Sequence, residues 1–225
     1  MDSILSYLAD LEINNERDWY HANKAYYKMA MEEFVDVVER LIAAIGVFDP
    51  SVLPNSAKDL TFKLVRDTRF SHDKSPYNPA FRAHIAAGGK QPIPTGYFLK
   101  IAPGDKTFLG GGLFASMFKD ATTMVRNYLA THVDEFDTII ANEQFAAHFS
   151  IKGEALKNVP KGYDPEHPLA GFIKLKSWYI DYPLVDSMLS DTDEFVNQAA
   201  GLFCLMKPFN DYLNTALVGF EMPSR

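Results

Sequence analysis

The sequence predicts an α+β fold, with an antiparallel sheet in the central region packed by long N-terminal and C-terminal helices. Three observations lead there. Apolar residues recur at helical spacing near both ends, four short apolar runs separated by turn residues lie between Thr61 and Phe114, and no repeat or long linker divides the chain. With 225 residues, 47% of them apolar, the chain is long enough to bury a substantial core, and one domain over residues 1–225 is the economical expectation.

Ile4, Leu5, Leu8 and Leu11 predict a short first helix that Asn14-Asn15 breaks. Asn15 is placed to cap a longer second helix, whose stripe runs through Trp19, Asn23, Tyr26, Tyr27, Ala30, Phe34, Val37, Val38, Leu41 and Ile45 to a C-cap at Gly46. After a Pro-rich loop, strand candidates follow at Phe62–Val65, Phe81–Ile85, Gly96–Ala102 and Thr107–Phe114. Gly110, Gly111 and Gly112 inside the last one predict a bulge or a close approach. From Ser116 the period is helical again, through Met117, Ala121, Met124, Val125 and Leu129 and then Val133, Phe136, Ile139 and Ile140. Residues 142–149 are ambiguous, and Gly171–Leu184 reads as a helical turn and then a strand. Asp191 or Thr192 caps a last helix with a broad stripe from Phe195 to Leu217, which Pro208 kinks or restarts.

The formal charge of −7 and pI near 5.3 argue against a general nucleic-acid binder or a protein lying on anionic membranes, since both need a positive field. Charge is unevenly spread: residues 58–106 hold nine Lys/Arg against four Asp/Glu, while the remainder holds thirteen against twenty-five. A local basic site in an acidic body suits a small anion. Cys204, the single cysteine, is expected to be buried and inert in a reducing cytoplasm, and the N-terminal residues lack the features of an export signal. No apolar run approaches the roughly 18 residues that span a bilayer. Phosphate-loop, dinucleotide, zincin and nucleophile-elbow motifs do not occur, and the six histidines are scattered, so no metal site is expected and no cofactor is indicated.

The unusual chemistry lies in residues 66–77, where Arg66, Asp67, Thr68, Arg69, Phe70, Ser71, His72, Asp73, Lys74, Ser75, Pro76 and Tyr77 sit between two apolar flanks. Arg66, Arg69 and Lys74, with Tyr77 beside them and Arg82 on the next strand, form a candidate site for a phosphate or carboxylate, because guanidinium forks match such oxyanions. Lys161 and Lys176 are candidates to close it. The competing reading pairs the two arginines with Asp67, Asp73 or nearby acids and makes the stretch structural. His72 reads as solvated and Ser71 and Ser75 as turn residues, so no catalytic residue is assigned.

These residues, taken with Asn15-Glu16-Arg17-Asp18-Trp19-Tyr20, Gly96-Tyr97, Gly110-Gly111-Gly112, Pro160-Lys161-Gly162-Tyr163-Asp164, His167-Pro168 and Leu175-Lys176-Ser177, resemble the bacterial and fungal family called Domain of Unknown Function 2461. The resemblance runs over nearly the whole chain and is most specific in the string from Arg66 to Tyr77. It implies a single intracellular domain and no established activity. His72 and Asn78 stand where the resemblance leads one to expect cations, which thins the basic site. Two functions are carried forward: a pocket for a small anionic ligand, with or without a reaction, and a non-enzymatic module that shows the loop to a protein partner of unknown identity.

Overall fold

A computed structural model describes residues 1–69, 71–114 and 118–223 of the chain. The first helix, α1 (Asp2–Ile13), buries Ile4, Tyr7, Leu8 and Leu11 along one face. The single long helix expected next is two: α2 (Arg17–Ala22) and α3 (Lys24–Gly46). The break falls at Asn23, whose N–H and Nδ2 both donate to the Trp19 carbonyl, at 3.0 and 2.9 Å. Beyond the break, Ala30, Phe34, Val37, Val38, Leu41 and Ile45 are buried as the spacing predicts. Gly46 is the last helical residue rather than the C-cap, which is Val47. A Cβ on Gly46 would come within 2.2 Å of Leu53, so its role is room for packing.

After the short helix α4 (Ala57–Leu60), the strand expected at Phe62–Val65 does not form. Its place is taken by a broken antiparallel ladder with isolated bridges Thr61↔Ala83 and Val65↔Tyr77. Pro79 lies between the two bridges and has no N–H to donate, which accounts for the interruption.

The sheet itself is antiparallel, in the order β1 (Phe81–Ile85), β2 (Gly96–Ile101), β3 (Thr107–Leu113) and β4 (Trp178–Leu184). Its fourth strand therefore comes from the run after Gly171 and not from residues 62–65. The Gly104–Asp105 turn between β2 and β3 is held by Asp186, whose carboxylate accepts from the N–H of Gly104 at 2.8 Å and of Asp105 at 3.1 Å. In β3 the glycines permit a close approach: a Cβ on Gly112, at φ +95°, would lie 2.3 Å from the Trp178 carbonyl oxygen. The Gly112 N–H donates to Asn210 Oδ1 at 2.8 Å, while Asn210 Nδ2 donates to the Gly96 carbonyl at 3.1 Å.

The helices that follow are α5 (Lys119–Thr131), α6 (Val133–Ile140), α7 (Glu143–His148), α8 (Ala170–Ile173) and α9 (Thr192–Ala216). The expected helical start at Ser116 and Met117 lies outside the described residues, as does Phe70. Within the ambiguous residues 142–149, Glu143–His148 is helical, and Asn142 caps it by accepting the N–H of Phe145 at 3.0 Å. Asp191 caps α9, accepting from the N–H of Asp193 at 2.8 Å and Glu194 at 3.0 Å. Pro208 sits within α9 without interrupting it. Cys204 is exposed, not buried, because it belongs with Gly201, Pro208, Asp211 and Thr215 on the outward face of that helix.

The chain forms two compact units. The first comprises Met1–Lys90, Phe98–Leu109 and Pro183–Cys204, and the second Gln91–Tyr97, Gly110–Tyr182 and Leu205–Arg225. In the first, α3 packs on α1 and β1, around a core that includes Tyr7, Leu8, Phe34 and Phe81. In the second, Phe136 meets Phe172 and Tyr212 edge-on or tilted at 4.9 and 5.1 Å between ring centroids, and Trp178 is fully buried. No helix among the described residues is long and apolar enough to cross a membrane.

Candidate functional site

In the first unit, the stretch after Val65 leaves the broken ladder, loops out, and returns at Pro76 and Tyr77. The return is tied by the Arg66 N–H to the Pro76 carbonyl at 2.9 Å and the Asn78 N–H to the Leu64 carbonyl at 2.8 Å. Tyr77 is buried and lies stacked on Tyr20 of α2, with ring centroids 4.3 Å apart and planes 20° apart. Asn15, expected as a helix cap, bonds the backbone of Tyr77 instead. These contacts bring α2 against the mouth of the loop.

The result is a cavity of about 360 Å³. It is lined by Arg17 and His21, one turn apart on α2, by Arg66, Thr68 and Lys74 of the loop, and by the apolar groups of Val65, Pro76 and Tyr77. Among the described residues that line it, none is a carboxylate. Arg17 makes no ion pair among the described residues, and Lys74 Nζ donates to the Thr68 carbonyl at 2.9 Å. A second hollow, of about 530 Å³, has Glu32, Asp36 and Glu39 of α3 on one side and Lys58, Lys63 and Lys90 on the other. Its mixed sign does not select an anion.

The two arginines of the central string are both engaged inside it. Arg66 pairs with Asp73 and also donates to Ser71 Oγ at 3.4 Å, and Arg69 grips Asp67 with Nε to Oδ1 at 2.9 Å and Nη2 to Oδ2 at 2.6 Å. The bond from Arg66, then those from the Ser75 hydroxyl and N–H, hold the Asp73 carboxyl well below the usual carboxylate range. The bonds from Arg69 lower Asp67 in the same sense. Arg66 still faces the cavity, whereas Arg69 is turned to solvent and absent from the lining.

Behind Tyr77 lies a cluster of phenols. Tyr7 has Tyr26 edge-on at 5.2 Å and Tyr27 tilted at 5.8 Å, and Tyr20 has Tyr27 at 5.3 Å. Burial first, then the neighbouring phenols Tyr27 and Tyr77, push Tyr20 up to about 12, so it stays neutral and able to donate at ordinary pH. Burial raises Tyr7 as well, and among the described residues its hydroxyl has no hydrogen-bond partner.

Of the residues singled out in the sequence, Arg66, Lys74 and Tyr77 thus meet in one cavity. Arg82 does not line it: its Nη2 donates to the Lys63 carbonyl at 3.2 Å, its guanidinium sits 5.4 Å from the Phe62 ring centre, and burial lowers its pKa. Lys161 is exposed and Lys176 pairs with Glu154, both in the second unit. The site also uses Arg17 and His21, which the sequence reading left out. Their i, i+4 spacing soon after Asn15 is the signal that could have placed them on a shared helix face. Among the described residues, no group of three or more His, Cys, Asp or Glu side chains is placed to hold a metal ion.

The family model described as conserved hypothetical protein (DUF2461) matches residues 3–212, so the chain belongs to that family, as its motif string suggested. No curated protein and no solved structure matches the chain.

Proposed function

We propose that this member of the DUF2461 family binds a small phosphate- or carboxylate-bearing anion in the cavity between α2 and the 66–77 loop. The observation that carries the reading is the lining itself: Arg17, Arg66 and Lys74 with His21, and no carboxylate among the described lining residues. Such a lining offers several charge-assisted donors, while Asn15 and the stack with Tyr20 hold Tyr77 in place. The proposal is one of binding, and the cationic groups are not given roles in a reaction.

A thermal-shift titration with inorganic phosphate tests it. A ligand at 100 times its dissociation constant stabilises by about 2.7 kcal/mol, which is readily seen as a rise in melting temperature. The rise should shrink in Arg17→Gln. A second reading is favoured by the internal pairing of Arg66 with Asp73 and of Arg69 with Asp67, which makes the loop a self-bonded surface suited to a protein partner. Under that reading, millimolar phosphate leaves the melting temperature of the native chain where chloride at equal ionic strength leaves it.

A further inference from the structure

Resting on the anion-binding reading above, we infer that the ligand of this cavity is a small phosphate monoester in its dianionic form, rather than a carboxylate or another monoanion. The charge of the walls is the first argument. Arg17, Arg66 and Lys74 are fixed cations, and Asp73 neutralises one of them through its pair with Arg66, leaving a surplus of two positive charges. The Arg69–Asp67 pair beside them cancels itself. Glu16 and Asp18, next to Arg17 in the chain, are exposed and do not line the cavity. A monoanion leaves half of that surplus unmatched, whereas a phosphate monoester, close to −2 at neutral pH, matches it.

Geometry supplies the second argument. The guanidinium of Arg66 is already committed to Asp73 and Ser71, so it reaches the cavity with its remaining donors. Arg17 of α2 and Lys74 of the loop add donors from two separate elements of the lining, and three cationic side chains suit a group with three acceptor oxygens better than a planar carboxylate with two. Size is the third argument. At roughly 30 Å³ for each water-sized group, 360 Å³ holds about twelve non-hydrogen atoms, and inorganic phosphate fills less than half of that. The lining also includes Val65, Pro76 and Tyr77, and the space left over suits a small uncharged body attached to the phosphate.

Calorimetric titration of the full chain at neutral pH separates the possibilities, using a short alkyl phosphate monoester, the alkyl sulfate of the same body, and inorganic phosphate. The expected order is phosphate monoester first, with a preference of about tenfold over its sulfate counterpart, the worth of one additional charge-assisted contact. Inorganic phosphate should bind more weakly than the monoester. Equal affinity for the alkyl phosphate and alkyl sulfate would overturn the dianion inference while leaving an anion site in place. If none of the three binds at millimolar concentration, the anion-binding reading falls and this inference with it. Arg17→Gln, an exposed side chain outside the core, should keep its melting temperature, lose several-fold in affinity for the alkyl phosphate and narrow the phosphate-to-sulfate ratio. Unchanged affinity in that variant would place the binding elsewhere and refute the assignment.

Discussion

Asn15 holds the backbone of Tyr77 at both of its polar groups: Nδ2 donates to the Tyr77 carbonyl at 3.0 Å, and Oδ1 accepts the Tyr77 N–H at 3.0 Å. In the Val65↔Tyr77 bridge the ladder bonds are made by the flanking residues, from Arg66 N–H to Pro76 and from Asn78 N–H to Leu64. The backbone groups of Tyr77 therefore face away from that ladder, and a side chain 62 residues earlier satisfies them.

Asn15→Ala should accordingly destabilise the fold by on the order of 2 kcal/mol, because it strands a donor and an acceptor on a buried residue. Chemical denaturation measures this, and a loss below about 0.5 kcal/mol would mean that water replaces the side chain freely. Phosphate affinity should fall in the same variant, since Tyr77, which lines the cavity, loses its anchor.

Asp73 predicts a pH signature. Its folded-state pKa is depressed, so the stability it contributes is present above the ordinary carboxylate value and is lost as pH falls through the folded value. Wild type should be more stable than Asp73→Asn near pH 7, and the difference should close progressively below about pH 4. Denaturation midpoints recorded for both proteins across that range check it; a constant gap down to the most acid point would show that the Arg66–Asp73 pair is not the source.

Gly112 and Gly162 separate strain from space. Both have positive φ, +95° and +99°, but a Cβ on Gly112 would meet Trp178 oxygen at 2.3 Å and Tyr179 Cα at 2.8 Å, while Gly162 has nothing within 4 Å. Gly162→Ala should cost about 1 kcal/mol from backbone strain, and Gly112→Ala more than about 3 kcal/mol because strand β4 must also move. Similar melting temperatures for the two variants would contradict this account.

Cys204 should react with a soluble thiol reagent at one equivalent per chain in the native protein, without a lag for unfolding. Labelling that appears only when denaturant is added would return it to the core.

The sequence by itself determined the fold class, the helical ends and the stripes that bury them, because a period of 3.6 residues over ten or more positions is a local property. The same periodicity, applied to α9, also places Cys204 with Gly201, Pro208 and Asp211 on the outward face; the preference of cysteine for interiors misled where position decided. Asp191 was legible as a capping residue, whereas Asn142 lay in an ambiguous stretch, Asn15 read as a cap and Asn23 as part of a continuous stripe. An asparagine serves a helix end or a distant backbone equally well, and which it does depends on what the fold brings near.

Tertiary structure alone decided that β4, and not residues 62–65, completes the sheet, since both runs have strand composition and the choice rests on pairing between segments far apart in sequence. It also decided which cations share a cavity. Arg66, Arg69 and Lys74 carry the same kind of charge within nine positions, yet Arg69 turns to Asp67 while Arg66 and Lys74 line one cavity with Arg17 and His21, which lie 45 to 57 residues earlier in the chain. Charge is written in the sequence, but the direction in which it points is set by the bends of the loop and by the helix that packs against it.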